Sequence, residues 1–421
     1  MATDGQPRRG LLQRIELVGA ELARRWRARE HDPQHFAALA VEVATEARLD
    51  QGFALAELGA AILGGQSTPN LGHQGILSEQ SFSDGAFTVY RHPGFRIEVL
   101  VWVDGSVAIH DHQWSGAFQV LAGSSLHSEY AFQTRGGAGP YLAFGELTRS
   151  CFESLAPGDA RPVQRTTGPG SVPSHRLFHL DRPSVSLAIS HYPAHGGMQY
   201  EFLEPGIALE SFTSVTPDLQ PTMKVLTLMA RLGDPALADR VCELVLELDD
   251  RGAFRLAQAF QPVLERLGRG AELVAALERR FPAQLDVLER AHHAQRRAQH
   301  IAALRAQIHD PEQRFLLAVL LSARDRSDCF TAIRARHPQD DPATVVGRWL
   351  ADAVKLREVL PDGAATLELV TRARTQASAD AALRELVAAA GRELAAEQRR
   401  AFDELVQRAR SPIMAPLFAV A

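Results

Sequence analysis

The chain has 421 residues, 46% of them hydrophobic and 23% charged, which excludes a disordered chain and leaves room for two or three domains with a sizeable core. A formal charge of -5 is mild, and although Arg8, Arg9, Arg14, Arg24, Arg25 and Arg27 make the N-terminus basic, they alternate with Leu, Ile and Glu as on a solvated helix face, which argues against nucleic-acid binding. Cys151, Cys242 and Cys329 are too widely spaced for a disulfide framework or a Cys-x-x-Cys metal pair, and neither a secretory leader nor a run of about 18 apolar residues occurs, so a reducing, cytoplasmic compartment is expected.

Residues 8–63 read as helices, because "LLQRIELVGAELARRWRA" carries apolar residues at helical spacing and Asp32-Pro33 is a good start for "HFAALAVEVATEARL". "GGQSTPNLGHQG" (64–75) then breaks the pattern as a linker or long loop, with His73 as a loop residue. From about 85 to 212 the period changes: "FTVY", "FRIEVLVWV", "GAFQVLAG", "SLHSEYAF", "SCFESL" and "SVSLAIS" are short, β-branched and aromatic, and separated by Gly, Pro and Asp. That is the signature of a β-sandwich or barrel.

Beyond "SVTPDLQPT" the chain reads as helical to its end. Asp234-Pro235, Asp310-Pro311 and Asp341-Pro342 each supply a capping residue followed by Pro at the first helical position. No fixed repeat period is found, so a solenoid is not indicated. His292, His293 and His300 sit among Gln, Ala and Arg and read as a solvated face. The expected organisation is an α+β multidomain chain: an N-terminal helical segment (1–65), a β-barrel domain (66–215) and a large C-terminal α-helical domain (216–421). Basic residues are almost all Arg, with Lys224 and Lys355 the only lysines, as in proteins of GC-rich bacterial genomes.

The chemistry concentrates in "SVAIHDHQWSGAFQVLAG". With 16 His in the chain a bare His-x-His arises about 0.6 times by chance, so its surroundings must carry the argument. If "SVAIHDH" is extended, His110 and His112 project to one face, the interior of a small barrel, while Asp111 faces away. Two neutral imidazoles can bind one divalent metal, and a third ligand must come from another strand. "SHRLFH" offers His175 and His179, which share a strand face but lie roughly 13 Å apart along it, so one metal with bonds of about 2 Å cannot use both.

In order, the Gly105 turn, the His110-x-His112 pair, Gly123 eleven residues later and the Pro169-Gly170 turn before His175 resemble the two motifs of the cupins. The closest likeness is to the cysteine dioxygenase type of thiol dioxygenase, in "IHDH", His175-Arg176 and "SVSLAIS", over about residues 85–205. The resemblance implies a cupin jelly-roll β-barrel and a mononuclear non-haem Fe(II) held by His110, His112 and His175. It selects His175 over His179 by its interval from the turn, leaving His179 as a pocket residue. It implies an oxygenase acting with O2 on a small carboxylated substrate, with thiols among the candidates. The substrate carboxylate would meet Arg91, with Arg96 as the fallback; bidentate carboxylate recognition suits Arg. Ser186 stands where that family has the Ser of a Ser-His-Tyr relay, with Ala188 and Ser190 in place of His and Tyr, and Ala117 stands near its thioether-forming Cys. His191 and Tyr192 follow closely. Trp114 reads as a pocket wall, His191 and His195 as minor candidates. Two other readings stay open: a three-histidine cupin with another metal or chemistry, and a small-molecule sensor whose helices serve interaction or homo-oligomerisation.

Overall fold

The computed structural model describes residues 10–63, 83–105, 107–137, 139, 141–192, 198–210, 219–352, 360, 363–373 and 376–419. The expected domain limits at 65/66 and 215/216, with His73 and His195, lie outside these residues. Two compact units divide the chain, Met1–Cys151 with Leu155–Arg296, and Phe152–Ser154 with Arg297–Ala421.

The first unit begins with α1 (Leu11–Arg27), α2 (Phe36–Ala47) and α3 (Leu55–Leu63). Leu11, Ile15, Val18, Leu22 and Trp26 recur at helical spacing and make the buried face of α1. The Asp32 side chain accepts from Gln34 N and starts the turn into α2. That apolar stripe packs on strand residues Tyr90, Ile97, Val99, Leu187 and Ile189, where each fully buried aliphatic side chain contributes roughly 1.5–3 kcal/mol. Gly19 permits the contact, since a Cβ there would sit 2.5 Å from the Tyr90 ring.

Among the described residues eleven strands follow: β1 (Gly85–His92), β2 (Phe95–Trp102), β3 (Ile109–His110), β4 (Ser115–Ala122), β5 (Ser125–Gly137), β6 (Leu142–Leu155), β7 (Ala160–Val163), β8 (Ser174–His179), β9 (Ser184–His191), β10 (Tyr200–Leu203) and β11 (Ile207–Glu210). They form a five-stranded sheet in the order β1-β2-β9-β4-β7 and a closed six-stranded barrel in the order β10-β11-β6-β5-β8-β3. Barrel closure removes exposed strand edges. Ile109, Tyr130, Phe132, Ala143, Tyr200, Phe202 and Ala208 form one buried cluster from five of the barrel strands and fill its interior.

Strand alternation then puts His110 and His175 on the other face, toward the five-stranded sheet. The sequence suggests the barrel interior for the histidines; the aromatic residues of the alternate parity already occupy it.

Leu142, Phe144, Leu203, Ile207 and Leu209 share a core with helices α4 (Leu219–Leu232), α5 (Leu237–Glu247), α6 (Asp250–Arg266), α7 (Gly270–Arg280) and the start of α8 (Leu285–Gln307). Asp234-Pro235 closes a turn, Asp234 Oδ1 accepting from Ala236 N, and α5 begins two residues later than the dipeptide suggests.

The second unit holds α9 (Pro311–Ser322), α10 (Arg326–Arg336), α11 (Pro342–Asp352), α12 (Gly363–Arg372), α13 (Gln376–Ala390), α14 (Ala396–Arg410) and α15 (Ala415–Phe418). Asp310 caps α9 through Gln313 N, and Asp341 accepts from Thr344 N at the start of α11, both as their Asp-Pro dipeptides indicate. Among the described residues no helix is long and apolar enough to cross a membrane.

Candidate metal centre

The His110-x-His112 segment is less regular than an extended strand. β3 is only two residues long, and His112 lies beyond it, in an isolated parallel bridge with Arg165 and accepting from Thr166 N at 2.8 Å through its carbonyl. Asp111 anchors the segment. Its N–H donates to Tyr200 O at 3.1 Å and its Oδ1 accepts from Tyr200 N at 2.7 Å, fastening the chain to β10 from the side opposite the histidines.

His110 stands directly opposite His175 in the β3–β8 pairing, and residues so opposed share a face. One ligand atom from each of His110, His112 and His175 lies within 4.8 Å of the others. Their ring centroids are 4.8–4.9 Å apart. His112 Nε2 and His175 Nε2 are 2.9 Å apart, whereas two imidazoles at right angles on one cation with bonds of about 2.1 Å would place their nitrogens about 3.0 Å apart. The donor set therefore fits a single divalent metal.

Two of the three rings have a partner behind them. His110 Nδ1 lies 3.2 Å from Ala108 O; a carbonyl only accepts, so this nitrogen carries the proton and Nε2 keeps the lone pair. His175 Nδ1 lies 3.3 Å from Nε2 of His127, a buried residue of β5. Burial drives the His110 pKa down to about 4 and holds His112 and His175 well below the ordinary imidazole value, the neighbouring histidines adding to the effect at the latter two. All three are neutral at physiological pH, which is the ligating form. Burial pushes Asp111 the other way, up to about 7.

Aromatic rings surround the cluster. Trp114 lies 4.8 Å from the His112 ring and Phe118, on β4 of the facing sheet, 5.6 Å from His175. Tyr192 follows at 6.5 Å from Trp114; its hydroxyl accepts from Arg96 Nη2 at 2.7 Å, and the Arg96 guanidinium lies 4.3 Å over its ring. Arg96 also pairs with Glu98. The fallback arginine is thus tied through Tyr192 and Trp114 toward His112, while Arg91 is exposed on β1 opposite Arg96.

Ser186 and His179 belong to a neighbouring buried group. Ser186 Oγ accepts from Trp102 Nε1 at 2.9 Å, Trp102 stacks on His179 at 4.6 Å, and His179 Nδ1 lies 2.9 Å from Ser125 Oγ. His191 packs against Trp26 and Phe36, with Nδ1 on Gly94 O at 2.6 Å, so it serves the helix–sheet core. His292 departs from the solvated reading: it is buried in the helical part of the first unit, with Nε2 3.5 Å from Glu265 Oε1.

The sequence reading missed His127 and the Arg96–Tyr192 pair. His127 sits in "SLHSEYAF" as an ordinary strand residue, and only the β5–β8 register, which pairs it with Leu177, brings it beside His175. No protein-family model matches this chain, and no curated protein matches it in sequence.

Proposed function

We propose that the protein is a cupin-type mononuclear non-haem iron oxygenase, cysteine dioxygenase-like, that acts with O2 on a small carboxylate-bearing substrate, thiols among the candidates. The carrying observation is the convergence of three neutral imidazoles, His110, His112 and His175, within 4.8 Å between a closed barrel and a facing sheet. When bound there, Fe(II) would supply a Lewis-acidic centre with open positions for substrate and O2, as suits a set of only three nitrogen ligands. The chain's own groups do the rest. Trp114 and Phe118 limit water at the cluster, Tyr192 orients the Arg96 guanidinium, and Arg96 or Arg91 meets the substrate carboxylate. The reading requires no nucleic acid or membrane partner, and it leaves the helices available for homo-oligomer or protein contacts.

The test is elemental analysis of protein purified without added metal, together with O2 uptake across a panel of thiols and carboxylic acids. About one iron per chain and O2 uptake with a carboxylate substrate support the reading. Alanine at the arginine that meets the carboxylate raises KM and leaves metal content unchanged. A bound metal without O2 uptake would point to other three-histidine chemistry, and ligand binding without turnover to a sensor. Metal-free protein after iron-supplemented expression would sink the proposal.

A further inference from the structure

His127 is buried at 1% exposure on β5, in a polar strip that alternation directs toward the facing sheet. Its neighbours on that face, Ser125 and Glu129, oppose His179 and His175 across β8, so the β5 strand runs directly behind the proposed third ligand. The His127 and His175 rings meet almost perpendicularly, at 86° with centroids 5.4 Å apart, and Phe118 packs against both, edge-on to His127 at 5.9 Å and 5.6 Å from His175. A ring held this way can rotate little.

The two nitrogens of His175 have different surroundings. Nε2 lies 2.9 Å from His112 Nε2 and so faces the cluster; Nδ1 lies 3.3 Å from His127 Nε2. An imidazole that gives the Nε2 lone pair to a cation carries its proton on Nδ1, where a hydrogen-bond acceptor fixes the tautomer and the ring's angle.

We infer that His127 is a positioning residue of the metal site, accepting the Nδ1–H of His175 on its own Nε2 so that the His175 lone pair is aimed at the cation. This rests on the three-histidine metal reading and adds to it the partner of the third ligand. The acceptor is a neutral imidazole where ligating histidines commonly use a carboxylate or carbonyl, so it orients His175 without adding negative charge behind it. His110, with its carbonyl partner at Ala108, has the same arrangement from the backbone.

The test is Co(II) titration of the metal-free full chain, read by visible absorption, for the wild-type protein and for His127→Leu, His127→Asn and His127→Gln. Leu removes the acceptor, Asn keeps an amide too short to reach His175, and Gln presents a carbonyl oxygen near the lost nitrogen. Wild type should take up one Co(II) per chain. Leu and Asn should weaken it by about 10- to 100-fold and shift the absorption band, while Gln stays close to wild type in both. If the Leu variant does not fold, Asn against Gln decides the matter alone, with melting of the metal-free proteins as the control for packing. Equal Co(II) affinity in all variants overturns the inference while leaving the metal site intact, and so does a Gln variant as weak as Asn. A wild-type chain that takes up no Co(II) overturns the three-histidine reading, and this inference with it.

Discussion

Acidifying the metal-free protein from pH 6 to 5 should destabilise its first unit through the site histidines. Their folded-state pKa values lie below the unfolded value of 6.5, so below pH 6.5 the unfolded chain binds more protons and stability falls as acid is added; above 6.5 the three contribute no slope. For His110 the fall from 6.5 to about 4 amounts to about 3 kcal/mol in full. Asp111 works against it: raised from 3.8 to about 7, it takes up its proton in the folded state, and its contribution of about 4 kcal/mol is lost as pH rises through that interval. Glu201, raised by burial, has the same sign as Asp111. Three imidazoles against two carboxyls leave at least about one proton, or about 1.4 kcal/mol per pH unit. Urea midpoints with a chelator present, followed by tryptophan fluorescence, measure this, since Trp26, Trp102 and Trp114 lie in the first unit and only Trp349 in the second. His175→Asn should reduce the slope by about 1.4 kcal/mol per pH unit. Equal slopes in the two proteins between pH 5 and 6 would refute the reasoning.

His175→Ala should lose most of its bound metal on elemental analysis and His179→Ala should keep it, because His179 is engaged with Ser125 and Trp102 four residues further along β8; the reverse pattern removes His175 from the site. Gly170→Ala should cost about 1–3 kcal/mol in backbone strain alone, because Gly170 has φ +80°, and more because an added Cβ would overlap the Phe132 carbonyl oxygen. Its urea midpoint should therefore fall clearly, and a midpoint equal to wild type would show that the turn before His175 adapts freely.

What was legible in the sequence is what depends on neighbours along the chain. Asp32, Asp310 and Asp341 act on the next few backbone N–H groups, so their dipeptides place helix starts with no knowledge of the fold. The two-residue period puts His110 and His112 on one side, and that survives even though β3 stops at His110, because Asp111 holds the segment in place through Tyr200. What was not legible depends on pairing between distant strands. His127 reaches His175 only because β5 and β8 are neighbours in one register, and a shift of one residue would turn it away. Arg91 and Arg96 both precede the histidine motif, and the family likeness puts Arg91 first. Their difference comes from Tyr192, which follows β9 beside β2 and engages Arg96. Placement of the histidines outside the barrel interior likewise follows from the alternate residues, Tyr130, Phe132, Tyr200 and Phe202, taking that space together.

Whether one buried and two half-buried histidines form a site or merely a piece of core can be decided by counting protons. In a core, His112 Nε2 and His175 Nε2 at 2.9 Å must share one proton, because two lone pairs facing each other would repel. A cation replaces that proton by a change of tautomer within neutral rings, with nothing released to solvent. Three ordinary imidazoles of pKa 6.5 would behave otherwise: at pH 6 each is about three-quarters protonated, and binding one cation would release about two protons in all. With His110 down to about 4 and the other two also well below 6.5, the release at pH 6 should be close to zero. Calorimetric titration with Co(II) at pH 6, in buffers of different ionisation enthalpy, reads the proton count directly. A binding enthalpy independent of buffer supports a site whose ligands folding has already deprotonated and desolvated. Release of about two protons per Co(II) would mean that the imidazoles are solvated and charged in the free protein, and that the buried cluster is not where the metal binds.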